Sequence, residues 1–308
     1  IKMFPELRQF QVRTHELLRD GAKAGHRCQM VMAPTGSGKT IMALHLIKQA
    51  LEKGKRAVFM CDRTTLINQT SAVADRVGLN NHGIVQADHW RVRPAAPFQI
   101  CSAQTVVRRR WPKADLIIID EAHTQMKAWT EYIPETNAAV VGLSATPFSK
   151  GLGNLFSNLI NAATMSDLVA DKILVPMKVF SGRAPDMTGA KTNSKGEWAD
   201  REIEDRGRVI IGDVVEEWHK RAYNKKTIVF GATIQHCQEI AEKFNNMGVM
   251  TCVFTAYTPD KERQEILEEF KKPDSMIRIL VSVEALAKGF DVQDIECICD
   301  CRPLRKSL

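Results

Sequence analysis

Apolar residues fall in short blocks separated by stretches of helical periodicity. CQMVMA (28–33), AVFMC (57–61), FQICSA (98–103), LIIID (116–120) and AVVGLSA (139–145) are each almost continuously apolar. Blocks of that length read as strands buried on both faces. Alternation with helices predicts a parallel sheet covered on both sides. The rhythm breaks at RAPDMTGAKTNSKGEWADREIEDRGR (183–208), a polar stretch with Gly, Pro, Asn and Ser that reads as a linker or exposed loop. It then resumes. TIVFG (227–231), VMTCVFT (249–255), IRILVSV (277–283) and IECICDC (295–301) are strand candidates, with IQHCQEIAEKFNNMG and TPDKERQEILEEFKK as helices between them. The expected organisation is two α/β domains, 1–178 and 179–308.

Composition adds limits to this picture. The chain has 308 residues, which suits two domains of roughly 150 each. Apolar residues make up 44% and charged residues 26%, as in a globular protein. No apolar run approaches the ~18 residues that span a bilayer, and IKMFPELRQF has no apolar signal core. The expectation is a cytoplasmic or nucleoid-associated protein, not secreted and without a membrane partner. Eight cysteines at irregular spacing suit reduced, buried thiols. The period of two in IECICDC puts Cys297, Cys299 and Cys301 on one strand face. Zinc sites favour C-x₂-C spacing with a second ligand pair, so a metal is not expected there. Net charge is +7, but residues 1–178 carry 23 basic and 14 acidic groups, against 20 and 22 in the rest. A knot of three arginines lies at Arg108, Arg109 and Arg110. This excess reads as either a polyanion-binding face or a solvated basic one.

The chemistry begins at APTGSGKT (33–40), which follows one strand candidate and opens a helix, the context a phosphate-binding loop requires. Gly36 and Gly38 permit a tight turn, so the backbone N–H groups of Thr35 to Gly38, Ser37 included, can surround phosphate oxygens. The helix N-terminus adds roughly half a positive charge. Lys39 is the candidate for the β/γ-phosphates and Thr40 for Mg²⁺. LIIIDEAH (116–123) then ends an apolar strand on two carboxylates, at the edge where α/β sheets bind ligands. Asp120 is expected to hold Mg²⁺, partly through water, and Glu121 to orient and deprotonate the attacking water. Two such acids could also cap the next helix; the phosphate loop in the same domain favours the catalytic reading.

APTGSGKT, DEAH and GLSATP (142–147), in that order in one domain, resemble motifs I, II and III of the superfamily 2 helicases and translocases. The resemblance covers essentially the whole chain and is nearest to the relatives of XPB and of the type I and III restriction-enzyme motor subunits. LRQFQ (7–11) resembles the segment before the phosphate loop, and by that resemblance Gln11 reads the adenine edge, with Arg8 beside it. CDRTTLINQ (61–69) resembles motif Ia, SAQTVVRRR (102–110) the next nucleic-acid motif, TIVFGAT (227–233) motif IV, and ILVSVEALAKGFDV (279–292) motif V. Two residues depart from the pattern: Ala33 stands for the first Gly, and Lys288 for a frequent acid.

The resemblance implies two tandem RecA-like domains, each a mainly parallel sheet with helices on both faces. It implies an ATP hydrolase in which Gly289 and Asp291 face the nucleotide across the cleft and His123, Ser144 and Thr146 couple ATP to the track. Arg63, Thr64, Gln104, Thr105, Thr233 and Ser282 are the implied nucleic-acid contacts, with DNA favoured over RNA. It also implies a motif VI of Gln-x-x-Gly-Arg-x-x-Arg type, which this sequence does not reach, so the second domain is expected to be incomplete. The alternative is a motor subunit or binding module with weak turnover that acts through a partner such as a nuclease. Trp90, Trp111 and Trp129 could stack on bases, with burial in the core as the favoured reading.

Overall fold

A parallel strand with both faces covered sends alternate side chains into two separate cores, and the sequence of the first half is built for that. The computed structural model describes residues 4–62, 64–181, 186–191, 202, 206, 211–255, 257–283, 292 and 294–302. The chain divides into two compact units, Ile1–Met177 and Lys178–Leu308. In the first unit the strands are β1 (Cys28–Met32), β2 (Ala57–Cys61), β3 (His82–Val85), β4 (Phe98–Ser102), β5 (Leu116–Ile119), β6 (Ala139–Ser144) and β7 (Asn158–Asn161). They form one parallel sheet in the order β3-β4-β2-β5-β6-β1-β7.

Register aligns the two cores. Phe59 lies opposite Ile118 and Ile118 opposite Val141. These side chains, with Val31, pack under the helices α1 (Gln9–Lys23), α2 (Lys39–Glu52) and α3 (Thr64–Arg76), which add Leu18, Ile47 and Ala74. One residue along, Val58, Ile117 and Val140 are aligned and face the other way. They meet Trp129, Ile133 and Phe156. All strands being parallel, the segments after β1, β2, β5 and β6 emerge at one carboxyl edge of the sheet.

The edge strands β3 and β7 lack the apolar run of the central five. A buried polar network ties β3 to α3. The Arg91 guanidinium pairs with Asp75 at 2.8 Å and lies 2.6 Å from His82 Nε2, which is 2.9 Å from Ser71 Oγ. His82 Nδ1 donates to the Leu79 carbonyl at 2.7 Å. Burial pushes the His82 pKa down, which keeps the imidazole neutral beside Arg91.

The second unit holds the parallel strands β8 (Thr227–Phe230), β9 (Thr251–Val253), β10 (Ile279–Ser282) and β11 (Cys297–Asp300), in the order β11-β8-β10-β9. Val229, Ile279 and Val281 face Trp218, Ile240 and Phe244. Ile228 and Leu280 face Phe254 and Phe270. Trp218 Nε1 donates to Thr227 Oγ1 at 2.8 Å, so the buried indole is satisfied. In the polar stretch 183–208, Arg206 pairs with Glu202 at 3.1 Å and donates to the Thr188 carbonyl at 3.0 Å.

All eight cysteines are free thiols. Cys297 and Cys299 bring their sulfurs to 3.9 Å on β11. Among the described residues no cluster of His, Cys, Asp or Glu could hold a metal ion by itself. No described helix is long and apolar enough to cross a membrane.

Candidate active site

The loop between β1 and α2 wraps because two of its residues are glycines in the left-handed region, Gly36 at φ 80° and Gly38 at φ 87°. Close approach adds a second constraint. A Cβ at Gly36 would stand 2.9 Å from Leu174 Cδ2, and one at Gly38 would stand 2.9 Å from Gln11 Nε2. Lys39 opens α2, and its ammonium donates to the carbonyls of Ala33 at 3.2 Å and Pro34 at 3.4 Å. Thr40 follows on the same first turn. Ser37 is buried, and its hydroxyl has no partner among the described residues.

Gln11 is buried at the start of α1, against this loop. Its Nε2 donates to the carbonyls of Ser37 at 3.2 Å and Gly38 at 3.4 Å, and its Oε1 accepts the Arg8 N–H at 3.0 Å. The side chain therefore braces the phosphate loop from the α1 side.

The carboxylates follow β5. Asp120 Oδ1 accepts the Glu121 N–H at 3.1 Å. Desolvation first, and then the neighbouring Glu121 charge, push the Asp120 pKa up to about 6, while Lys39 opposes the rise. Asp62, after β2, also raises it; the sequence reading passed over this residue, although a polar residue directly after an apolar strand marks the same edge. Glu121 takes φ 49°, ψ 45°, a left-handed conformation uncommon for a residue with a side chain. Such backbone strain clusters at functional positions. From Glu121 a polar path crosses to the next strand. His123 Nδ1 lies 3.3 Å from Glu121 Oε2 and 3.0 Å from Ser144 Oγ, which accepts the Thr146 N–H at 3.0 Å. β5 and β6 are adjacent in the sheet, so motifs II and III meet through His123.

The residues assigned to nucleic acid are dispersed. Gln104 Nε2 donates to the Asp62 carbonyl at 2.5 Å and its Oε1 accepts from Ser102 Oγ at 2.8 Å. Thr105 Oγ1 accepts the Ala87 N–H at 3.4 Å. Thr64 opens α3. In the second unit Ser282 is fully buried at the end of β10. Thr233 caps the helix Ile234–Asn246, its Oγ1 accepting the His236 N–H at 3.1 Å. Thr233→Ala is expected to cost about 1 kcal/mol of stability in urea unfolding, and Thr233→Ser little; an alanine variant as stable as wild type would remove the capping role. Arg63, Gly289 and Asp291 lie outside the described residues, as does Lys288. The tryptophans divide. Trp129 is buried and Trp111 stacks on Tyr132 at 4.0 Å, whereas Trp90 is exposed, against the expectation of core burial.

Comparison with known proteins gives two family matches, several relatives and similar solved structures. Residues 4–149 match the family described as type III restriction enzyme, res subunit, and residues 210–306 match the helicase conserved C-terminal domain. A 51.5 kDa protein of a Lactococcus phage is 30% identical over 284 residues, covering 90% of this chain and 59% of the relative. A Schizosaccharomyces pombe protein named as a mitochondrial ATP-dependent helicase, irc3, is 24% identical, covering 95% of this chain and 52% of the relative. The chain thus spans a little over half the length of these two relatives. In fold it resembles a fragment of an HsdR subunit of a type I restriction enzyme from Vibrio vulnificus, with a TM-score of 0.68 at 17% identity, covering 93% of this chain and 56% of that one. With the phosphate loop, the DEAH carboxylates and the motif III serine at one sheet edge, the chain belongs to the superfamily 2 helicases and translocases, its first domain matching the type III restriction-enzyme res subunit and its second the helicase C-terminal domain.

Proposed function

We propose that this chain is the motor of an ATP-driven translocase or helicase that moves along DNA. The observation that carries the reading is the path from Glu121 through His123 and Ser144 to Thr146, beside a lysine-bearing phosphate loop. Such an arrangement suits a group that acts on a water at the γ-phosphate and reports its state to a neighbouring segment. In this reading Lys39 and the loop N–H groups hold the phosphates. Glu121 orients the attacking water and takes its proton.

The donor set fits Mg²⁺. Burial first, and then the charges of Glu121 and Asp62, raise the Asp120 pKa. A hard divalent cation relieves that like-charge crowding, and oxygen ligands with several waters suit it. Asp120 and Thr40 would hold it, and its chemistry there is charge neutralisation on the phosphates. Gly289 and Asp291 are proposed to face the nucleotide from the second domain on the strength of the motif V resemblance.

DNA is preferred as the track because the first-half match is to a restriction-enzyme subunit. That description also favours a second reading, a motor subunit whose output belongs to a nuclease partner. A reducing compartment, cytoplasmic or nucleoid-associated, suits eight free thiols. The test is ATP hydrolysis with no polymer, with single- and double-stranded DNA, and with RNA. Stimulation by DNA is expected. Stimulation by RNA alone would reassign the track, and no turnover with any polymer would sink the motor reading for this chain.

A further inference from the structure

Tryptophan is the side chain a fold gains most by covering, and two of the described indoles, Trp129 at 1% and Trp218 at 3% exposure, obey this. Trp90 is 77% exposed. It is nevertheless held in place. His89 stacks on it with ring centroids 5.7 Å apart and planes 27° from parallel, and the Arg91 guanidinium lies 5.0 Å from the ring centroid. At that exposure the indole still presents open ring surface to solvent.

Both neighbours are themselves fixed. His89 Nδ1 accepts the Arg91 N–H at 3.0 Å, so Nε2 carries the hydrogen and donates to Asn68 Oδ1 at 3.1 Å. Arg91 is anchored on Asp75 at 2.8 Å. The loop also connects two segments picked out independently. Asn68 belongs to the motif Ia-like helix α3, whereas Ala87 donates to Thr105 Oγ1 at 3.4 Å and accepts from Arg109 at 3.0 Å. Of the exposed arginines Arg108, Arg109 and Arg110, Arg109 thus ties the run to the loop that carries Trp90. Asp88 is the one acidic residue of that loop between β3 and Trp90, against Arg91 and Arg93 just beyond.

We infer that Trp90 is a stacking platform for an unpaired nucleobase, with the Arg108–Arg110 run taking the phosphates of the same strand. The inference rests on the nucleic-acid reading above and adds where a single strand is gripped. An aromatic face beside basic side chains is the combination that binds single strands without sequence preference, since every base has a π-face. A rigidly held indole loses little freedom on stacking. Duplex DNA, whose bases are already stacked, gains less from it.

The test is anisotropy of a labelled single strand on wild type, Trp90→Ala and Trp90→Phe, repeated with a strand carrying abasic sites. Trp90→Ala is expected to weaken binding by about 5- to 100-fold and Trp90→Phe by only a few-fold, with thermal unfolding close to wild type for both. On the abasic strand the difference between wild type and Trp90→Ala should disappear. Equal affinity of wild type and Trp90→Ala overturns the inference while leaving the motor reading standing. An alanine effect of the same size on the abasic strand also overturns it, because the contact would then not be to a base. A wild-type chain that binds no strand overturns both.

Discussion

Glu121→Gln is expected to lower nucleic-acid-stimulated ATP turnover by about 10²–10⁴-fold, the contribution of a positioned general base, while nucleotide binding persists. The substitution keeps length and shape, and the amide can still meet His123, which lies 3.3 Å from the carboxylate. It cannot accept a proton. The left-handed backbone at φ 49° fixes where the side chain starts, so a glutamine enters the site along the same direction. One further effect has a definite sign. The Glu121 charge is among the causes that raise the Asp120 pKa, so its removal should let Asp120 ionise at lower pH. Steady-state hydrolysis together with a fluorescent-nucleotide titration separates the two steps. Turnover within a few-fold of wild type would mean that another group takes the proton. Lost nucleotide binding would mean that Glu121 holds the site together rather than acting in it.

The central strands were legible because they are apolar on both faces, which only a covered parallel sheet requires. LIIID and AVVGLSA could be read directly from composition. HGIV and NLIN, the edge strands β3 and β7, could not. Each has one sheet neighbour and short polar flanks, and β3 depends on a histidine, an arginine and an aspartate that meet only after α3 has docked. The same limit divided the site. Gly36, Gly38, Lys39, Asp120 and Glu121 follow from local sequence, because each sits at the carboxyl end of an apolar strand or opens the next helix. The positions of Gln11 against the loop carbonyls and of His123 between Glu121 and Ser144 depend on which strands are neighbours, and no spacing along the chain encodes that. Trp90 was misjudged from the general tendency. Tryptophan is covered more often than not, but Trp90 sits in the polar run QADHWRVR on the loop after β3, and there it is exposed.

Asp120→Asn should abolish hydrolysis and yet make the nucleotide-free protein more stable at pH 7.5. The folded-state pKa is about 6 against an ordinary 3.8, so the native state binds the extra proton between those values. The carboxyl's favourable contribution is complete below pH 3.8 and is lost as pH rises through about 6. Above that, the ionised group opposes folding by up to roughly 3 kcal/mol at 1.36 kcal/mol per pKa unit. The side chain keeps some exposure, so screening brings the expected gain to about 1–2 kcal/mol. Asparagine removes the charge and retains an oxygen for the Glu121 N–H, which lies 3.1 Å away in wild type. Denaturant unfolding of both proteins at pH 7.5 and pH 4 reads the difference, which should be present at the first and nearly gone at the second. Equal gains at both pH values would point to packing rather than charge. Adding Mg²⁺ with a non-hydrolysable ATP analogue should reverse the order, because a ligand that binds only the folded state stabilises wild type through Asp120 and the variant much less. A protein that is less stable with its aspartate than without it, until its ligand arrives, carries in that residue a destabilisation that only function explains.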